Sequence, residues 1–313
     1  MRVVVTGGAG FIGGNLCRRL LGQPGITDVV VIDDLATGNR DNIAHLPVRF
    51  VEGSITELAA LDTAFDGADA VVHLAALGSV PRSVADPMAS HHANATGTIM
   101  VLEAARRHGN LHTIVASSSS VYGSNPILPK TEDLACRPMS PYAATKLVTE
   151  GYALAYGASY GLPVLAFRFF NVFGPLQPAG HAYAAVVPSF VDAALRGAPL
   201  TVHGDGTQSR DFTFVGTLTA VVADALVRQV SSADPVNLAF GSRITLLDVI
   251  EELEAILGRR LDREHTANRV GDVPHSQADN ARLRGLFPEI EPIQFDAGLR
   301  ATVEWMRSTR DGG

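Results

Sequence analysis

The segment SPYAATK, residues 140–146, places a phenol and an ammonium group one helical turn apart. Ser140 is a favourable N-cap residue, and Pro141 suits the first helical position because its missing N–H would have no partner there. In a helix that begins here, Tyr142 and Lys146 stand at positions i and i+4 on one face. A surface pair would have the same spacing, so the interpretation depends on the surroundings of these two residues.

A run of four serines, residues 117–120, ends an apolar segment upstream of the tyrosine. A serine hydroxyl, a tyrosine and a lysine can together transfer a proton. The pKa of a free phenol is about 10, and a nearby Lys⁺ and a cationic nicotinamide would both favour the phenolate. The pattern predicts Tyr142 as a general base, with Lys146 lowering its pKa and Ser118 holding or relaying the proton.

The N-terminal segment TGGAGFIGG, residues 6–14, offers a site for such a nucleotide. It follows a short apolar strand, opens a helix and spaces Gly7, Gly10 and Gly13 as G-x-x-G-x-x-G. These glycines allow a tight turn and a close approach of the backbone to a pyrophosphate at the positive end of the helix. Asp33 ends the second strand about 20 residues further on, where a carboxylate binds ribose hydroxyls and repels a 2′-phosphate. The sequence therefore favours NAD over NADP.

Short Val/Ile/Leu-rich strands alternate with helices over the first half of the chain. Besides the two N-terminal strands, they are predicted at 48–53, 70–76, 112–119 and 162–171. Continuous apolar strands of this kind are buried on both faces, which predicts an α/β fold with a Rossmann-type, doubly wound parallel sheet.

The pattern changes after about residue 172, where the elements shorten and Pro, Gly and turn signals increase. The prediction is an NAD-binding Rossmann domain at 1–170, to which 213–240 return. A smaller C-terminal α/β domain, formed by 171–212 and 241–313, would bind the substrate.

The composition is that of a globular protein. The 313 residues are 46% apolar and 18% charged, with a net charge of −7 and no basic block, so no nucleic-acid partner is expected. No apolar run reaches the roughly 18 residues of a membrane span, so no membrane partner is expected either. Cys17 and Cys136 form no disulfide framework, which fits a reducing cytoplasm. The histidines show no metal-ligand spacing, and no metal ion is expected.

Six motifs together resemble one known family. TGGAGFIGG, HLAA, SSSSVYG, SPYAATK, RFFNVFGP and GDGTQSRDF occur in an order typical of the extended short-chain dehydrogenase/reductases, and within them of the nucleotide-sugar 4-epimerases. The resemblance covers essentially the whole chain. It implies that Lys146 holds the nicotinamide ribose and lowers the pKa of Tyr142. Tyr142, with Ser118 beside it, would then take the proton of a sugar hydroxyl.

The resemblance also implies a set of cofactor-binding residues: Gly7, Gly10, Phe11, Ile12, Gly13, Asp33, Thr37, Gly38, Ser54, Ile55, Leu74, Ala75, Ala76, Asn94, Tyr142, Lys146 and Phe169. One position departs from the common pattern. Many family members carry Asp where this chain has Ser54. The contact with adenine would then depend on the Ser54 hydroxyl and the Ile55 backbone, and this departure affects the affinity for NAD.

A second implied set binds a UDP-sugar. Three segments are similar to those that enclose the hexose in bacterial epimerases preferring UDP-N-acetylglucosamine and UDP-N-acetylgalactosamine: AALGSVPRSVADP (75–87), QPAGHAYAAVVP (177–188) and GDVPHSQAD (271–279). The implied sugar-site residues are Gly78, Ser79, Ser118, Ser119, Ser120, Tyr142, Asn171, Gln177, Ala185, Val186 and Ser276. Arg210 and Arg269 resemble the arginines that clamp the diphosphate, and Asp272 would meet the nucleotide ribose.

The position of Ser276 bears on the choice of sugar. In epimerases restricted to plain hexoses this position carries a bulky tyrosine near the C2 carbon of the sugar. Serine, with Ala185 opposite, would leave room for an N-acetyl group. UDP-glucose and UDP-galactose are expected as further substrates, and thymidine and cytidine sugars remain open.

The expected reaction is 4-epimerisation through a 4-keto intermediate, with NAD regenerated in each cycle. The related 4,6-dehydratases carry Thr-Asp-Glu where this chain has Ser118, Ser119 and Ser120, so elimination of water is disfavoured. The alternatives are a UDP-glucuronate 4-epimerase or decarboxylase and a catalytically silent NAD-binding regulator. A homodimer, with contacts near 90–108 and 142–158, is expected from the resemblance.

Overall fold

The structure is a computed structural model and describes residues 1–179, 184–267 and 274–311 of the chain. Its strands are β1 (Arg2–Thr6), β2 (Asp28–Asp33), β3 (Arg49–Glu52), β4 (Ala70–His73), β5 (His112–Ser118), β6 (Val164–Phe169), β7 (Val172–Phe173), β8 (Leu200–His203), β9 (Ser209–Arg210), β10 (Thr213–Phe214), β11 (Val236–Leu238), β12 (Ile244–Thr245) and β13 (Arg263–Thr266). Its α-helices are α1 (Phe11–Leu21), α2 (Leu58–Phe65), α3 (Val80–Ala85), α4 (Pro87–His91), α5 (Gly97–Arg107), α6 (Pro141–Tyr160), α7 (Val186–Arg196), α8 (Val215–Val227), α9 (Leu246–Leu257), α10 (Ala281–Leu286) and α11 (Phe295–Asp311).

A seven-stranded sheet in the order β11-β6-β5-β4-β1-β2-β3 forms the centre of the molecule. Every neighbouring pair of its strands is parallel. The predicted Rossmann-type sheet is thereby confirmed. The strand order reverses at β1, and sheets of this kind bind ligands in the crevice outside the carboxyl ends of the strands at such a point.

Both faces of the sheet are covered because successive side chains of a strand point to opposite sides. Val3 and Val5 of β1 pack with α1 and α8 on one face, in a core that includes Leu16 and Val222. Val4 packs on the other face with α2, α5 and α6. The continuous apolar strands of the sequence are therefore explained by a sheet between two helical layers.

The C-terminal part of the chain forms a smaller α/β unit with its own core. Helices α7, α9 and α11 contribute Phe190, Ile250 and Val303 to this core, beside the β8–β13 pair. Helix α8 packs instead on α1, and β11 joins the large sheet beside β6. Leu283 and Phe287, which the predicted division assigns to the C-terminal domain, pack into the core of the large sheet.

Arg168 and Glu150 form a buried bidentate ion pair between β6 and α6. Their atoms meet at 2.9 Å (Nε to Oε2) and 2.7 Å (Nη2 to Oε1). Ser117 of β5 donates to the same carboxylate at 2.8 Å, and Arg168 donates to the Tyr122 hydroxyl at 2.8 Å. Since Glu150 lies one turn after Lys146 on α6, this network fixes the helix against the ends of two strands.

Replacement of the arginine should destabilise the protein strongly. Arg168→Met leaves the Glu150 carboxylate buried without a counter-charge, and such a loss costs about 3–5 kcal/mol. Arg106→Met is the matched control, since Arg106 forms an exposed ion pair with Glu103 at 2.9 Å and its loss should have little effect. Urea unfolding followed by circular dichroism measures both free energies. Equal losses for the two variants would contradict a supporting role for the buried pair.

Candidate active site

Helix α6 begins where the sequence predicts, with the Ser140 side chain accepting a hydrogen bond from the Ala143 N–H at 3.1 Å and Pro141 in the first turn. The Nζ atom of Lys146 donates to the carbonyl oxygen of Ala116 at 2.8 Å. Lys146 is buried, at 5% exposure, and Tyr142 is half-buried. Ser118, at the end of β5, lies near enough to the Tyr142 phenol to lower its pKa. The structure thus brings the three predicted residues together.

The pKa values of the two titratable groups are governed by burial. Burial lowers the pKa of Lys146 to about 8. It raises the pKa of Tyr142, and the hydrogen bond from Ser118 opposes that rise only in part. The prediction that Lys146 brings the pKa of Tyr142 towards neutrality is not met by the protein groups alone. The Lys146 ammonium group donates to the Ala116 carbonyl oxygen, and the pKa of Tyr142 is governed by burial and by Ser118.

A cavity of about 810 Å³ lies outside the carboxyl ends of the strands. All of the predicted cofactor residues except Asn94 line it. The Asn94 side chain accepts from the Leu77 N–H at 2.7 Å and donates to Thr145 Oγ1 at 3.0 Å. Asn94 therefore lies behind the cavity, where it connects the segment after β4 to α6.

The glycine loop fits a dinucleotide. A Cβ atom on Gly7 would lie 2.7 Å from the Ala75 backbone nitrogen, and one on Gly13 would lie 2.2 Å from the Gly7 carbonyl oxygen. The loop is therefore as close to the segment after β4 and to its own helix as a backbone without side chains allows. Among the residues that the structure describes, no side chain caps the N-terminus of α1. This end of the helix is suited to a phosphate, which its backbone N–H groups would hold.

Asp33 and Ser54 lie where the adenosine half of the cofactor is expected. The Asp33 carboxylate accepts from the backbone N–H groups of Ala9 at 3.0 Å and Leu35 at 2.9 Å, and it is 8% exposed. The remaining acceptor positions of its two oxygens suit ribose hydroxyls. The Ser54 hydroxyl lies 2.9 Å from Thr56 Oγ1. An uncharged hydroxyl that already has a protein partner is a weaker contact for adenine than a carboxylate.

A second cavity of about 530 Å³ continues from the first, since Asn171, Val172 and Ala185 line both. Val186 and Arg210 line the second one. Nη1 of Arg210 donates to backbone carbonyl oxygens, at 2.9 Å for Ser209 and 3.2 Å for Pro274. The two joined cavities give an elongated site, with a tyrosine in one part and an arginine in the other.

The remaining predicted substrate residues divide into three groups. Gly78, Ser79, Ser118, Tyr142 and Gln177 line the large cavity. Within the described residues, Ser119, Ser120 and Ser276 line neither cavity. Arg269 and Asp272 lie outside the described residues.

Gln177 has an unsatisfied acceptor at the wall of the large cavity. Its Nε2 donates to the Val172 carbonyl oxygen at 3.1 Å. Its Oε1 is buried and has no hydrogen-bond partner among the described residues. A buried amide oxygen without a donor is costly, and a ligand hydroxyl or N–H would satisfy it.

The residues of the large cavity that were not predicted from the sequence include Arg82 and Trp305. Arg82 lies three residues after Ser79 in a segment that the resemblance had already singled out, so its cationic side chain could have been noticed. Trp305 lies on α11, near the end of the chain, and no local pattern connects it with the glycine loop.

The site and the fold agree with comparisons to known proteins. Residues 3–239 match the NAD dependent epimerase/dehydratase family, and the chain belongs to this family. It is therefore an enzyme that uses NAD.

Individual relatives are similar over nearly their full length. The UDP-glucose 4-epimerase of Mycolicibacterium smegmatis is 35% identical, over 98% of this chain and 99% of that protein. The UDP-N-acetylglucosamine 4-epimerase from Methanobrevibacter ruminantium M1, solved with UDP-N-acetylmuramic acid, has a TM-score of 0.92 at 35% identity over 98% of each chain. The UDP-glucuronic acid 4-epimerase from Bacillus cereus, solved with UDP-glucuronic acid and NAD, has a TM-score of 0.89 at 30% identity, over 99% of this chain and 100% of that chain.

Proposed function

We propose that the protein is an NAD-dependent 4-epimerase of UDP-hexoses that works through a 4-keto intermediate. The observation that carries this proposal is the position of Tyr142, Lys146 and Ser118 in the same cavity as a glycine loop suited to a pyrophosphate. A catalytically silent NAD-binding protein would have no need of this arrangement. A 4,6-dehydratase is disfavoured because Ser119 and Ser120 stand where that chemistry uses carboxylates.

The reaction needs one proton acceptor and a sugar that can present both faces. Bound NAD supplies a hydride acceptor that returns the hydride in the same cycle. Tyr142 takes the proton of the sugar 4-hydroxyl on its phenolate oxygen and gives it back after the keto sugar has turned. Lys146 holds the nicotinamide ribose and contributes positive charge. Together with a cationic nicotinamide, this charge offsets the effect of burial on the Tyr142 phenol.

The substrate would extend from one cavity into the other. The hexose would lie beside Tyr142 and Gln177, and the diphosphate beside Asn171 and Arg210. A guanidinium group suits this position because its planar fork binds phosphate oxygens in a bidentate manner. Arg269 and Asp272 remain predictions for the second phosphate contact and the uridine ribose.

We propose UDP-N-acetylglucosamine and UDP-N-acetylgalactosamine as the preferred pair, with UDP-glucose and UDP-galactose as further substrates. The small side chain of Ala185 lies where the two cavities join, which leaves space beside the sugar. The unpartnered Oε1 of Gln177 could accept a hydrogen bond from a sugar hydroxyl or from an acetamido N–H. The likeness to an N-acetylglucosamine 4-epimerase supports the same choice.

UDP-glucuronate is the second candidate, because Arg82 supplies a cation in the large cavity. Its guanidinium group has no hydrogen-bond or ion-pair partner among the described residues. A hexuronate carries a carboxylate at C6, which such a group would bind.

The exposed face of α6 is the surface for a second copy of the chain. The only charged residues of this helix, Lys146 and Glu150, are buried, while Ala144, Tyr152 and Ala155 are exposed. An exposed helical face without charge is typical of an interface. We propose a homodimer in which α6 packs on its counterpart.

The two cysteines, Cys17 and Cys136, are unpaired. A reducing compartment suits them, and we propose that the enzyme works in the cytoplasm. Among the helices of the described residues, none has both the length and the apolar character needed to cross a bilayer.

Tyr142→Phe should abolish most of the turnover. The variant keeps the ring and its packing but removes the oxygen that takes the proton, and general acid–base catalysis is worth about 10²–10⁴-fold. NAD content, measured after denaturation, and the melting temperature are the controls. A folded variant that carries NAD and epimerises at a near-normal rate would rule out the tyrosine as the base.

The sugar is tested with a panel of UDP-sugars whose products are followed by NMR. Wild-type protein should epimerise UDP-N-acetylglucosamine at least as well as UDP-glucose. Ser276 lines neither cavity, but the resemblance predicts that Ser276→Tyr loses the N-acetylated substrate and keeps the plain one, because added volume would exclude only the larger group. An unchanged ratio of activity on the two sugars in this variant would show that residue 276 does not face the sugar. Turnover of UDP-glucuronate alone would favour the second candidate.

The dimer is tested by placing a charge on the proposed interface. Tyr152→Glu should shift the mass in solution from two copies to one, because the carboxylate would be buried against its own counterpart. Val227→Glu is the matched control. Val227 is 42% exposed and Tyr152 is 41% exposed, but Val227 lies on α8, away from the proposed interface. Light scattering coupled to size-exclusion chromatography gives both masses. A monomeric wild type, or a dimeric Tyr152→Glu variant, would contradict the proposed interface.

A further inference from the structure

The hydroxyl group of Ser118 is held on two sides by Ser120. The backbone N–H of Ser120 donates to Ser118 Oγ at 3.2 Å, and the Ser120 hydroxyl donates to the same atom at 2.9 Å. A serine hydroxyl has one proton to donate and two lone pairs that accept. Both accepting positions of Ser118 are therefore occupied, and its single proton is free to point to the Tyr142 phenol, which lines the same cavity.

Ser120 is itself held in place by a rigid turn. Residues Ser119–Tyr122 form a 3-10 helix with Ser118 as its N-cap residue, and the Ser120 carbonyl oxygen accepts from the Gly123 N–H at 3.1 Å. Tyr122, two residues on, is buried, and its hydroxyl donates to Asn237 at 2.7 Å. Ser120 lines neither cavity, so it reaches the substrate only through Ser118.

We propose that Ser120 is a positioning residue that fixes the direction of the hydrogen bond between Ser118 and Tyr142, with Ser118 as the donor. The proposal rests on the function proposed above and replaces the expected role of Ser120 as a sugar contact.

The direction of this hydrogen bond decides which group receives the substrate proton. A serine that relays a proton must accept the substrate proton on a lone pair while it passes its own proton to the tyrosine. Both lone pairs of Ser118 are occupied by Ser120, so this route is closed. The proton of the sugar hydroxyl then moves directly to the phenolate oxygen of Tyr142, and the Ser118 hydroxyl stabilises that phenolate by donating to it throughout.

Loss of the Ser120 hydroxyl should make the Tyr142 phenolate harder to form. In Ser120→Ala one lone pair of Ser118 is freed, its proton can turn away from the tyrosine, and the pKa of Tyr142 rises. Other titratable groups that line the cavity stay unchanged in this variant: Lys146 on α6, Arg82 on α3, and Asp33 and Asp34 at the end of β2. Ser120→Thr keeps a hydroxyl at the same place and should restore the wild-type behaviour.

The test is an ultraviolet titration of the purified protein with its own NAD. Phenolate absorbance is followed against pH, and the Tyr142→Phe trace is subtracted to isolate Tyr142. Ser120→Ala should move the midpoint to higher pH, while Ser120→Thr and the control Ser119→Ala should keep the wild-type midpoint. An unmoved midpoint in Ser120→Ala, or a Ser120→Thr variant that behaves like Ser120→Ala, would overturn the proposal.

Turnover provides an independent measurement. The acidic limb of the kcat/KM profile should shift to higher pH in Ser120→Ala, with a loss of about tenfold to a hundredfold on that limb, the usual range for one hydrogen bond to a charged group. In a Tyr142→Phe background the same change should cost nothing more, since the interaction is already lost. A further loss in that background would overturn the positioning role. If wild-type protein epimerises no UDP-hexose but the titration midpoint moves, the proposed function fails and the positioning role stands.

Discussion

The active site depends on how α6 is attached to the carboxyl end of β5. Three consecutive residues of the strand hold the helix: the Ala116 carbonyl oxygen accepts from Lys146, Ser117 donates to Glu150, and Ser118 meets Tyr142. All three helical residues lie on one face, four positions apart, as the helical repeat requires. The strand end and the helix start therefore form one unit. The spacing noticed in the sequence is the spacing at which a helix can make three polar contacts with a strand end.

Burying Lys146 and Glu150 costs free energy, and the hydrogen bonds and ion pair that Arg168 and Ser117 make with Glu150 offset this cost. Lys146 and Glu150 are both buried, and buried charges are unfavourable unless they are paired and hydrogen-bonded. Glu150 is neutralised by Arg168, whereas the Lys146 ammonium contacts only the Ala116 carbonyl oxygen among the described residues. The lowered pKa of Lys146 is the sign of this incomplete compensation. Ribose hydroxyls would supply the missing acceptors, which supports the proposed role of Lys146 in holding the cofactor.

The sequence predicted the fold and the chemical centre because both depend on local patterns. The apolar strands, the glycine loop and the start of α6 each show in a few consecutive residues. What it could not predict depends on contacts between distant segments. Asn94 connects Leu77 to Thr145, and its type alone does not distinguish a ligand from a support. Trp305 reaches the large cavity from the last helix, and the raised pKa of Tyr142 follows from burial, which no motif displays.

The division of the site into two joined cavities separates the requirements of chemistry from those of specificity. Tyr142, Lys146 and Ser118 lie on the sheet edge and α6, which are fixed by buried polar contacts. Arg210 and Val186 lie on the smaller C-terminal unit. In the proposed reaction the keto sugar presents both faces to one base, so the hexose itself cannot be bound tightly. Tight binding would then come from the part of the substrate that does not turn, and we propose that Arg210 in the second cavity binds that part.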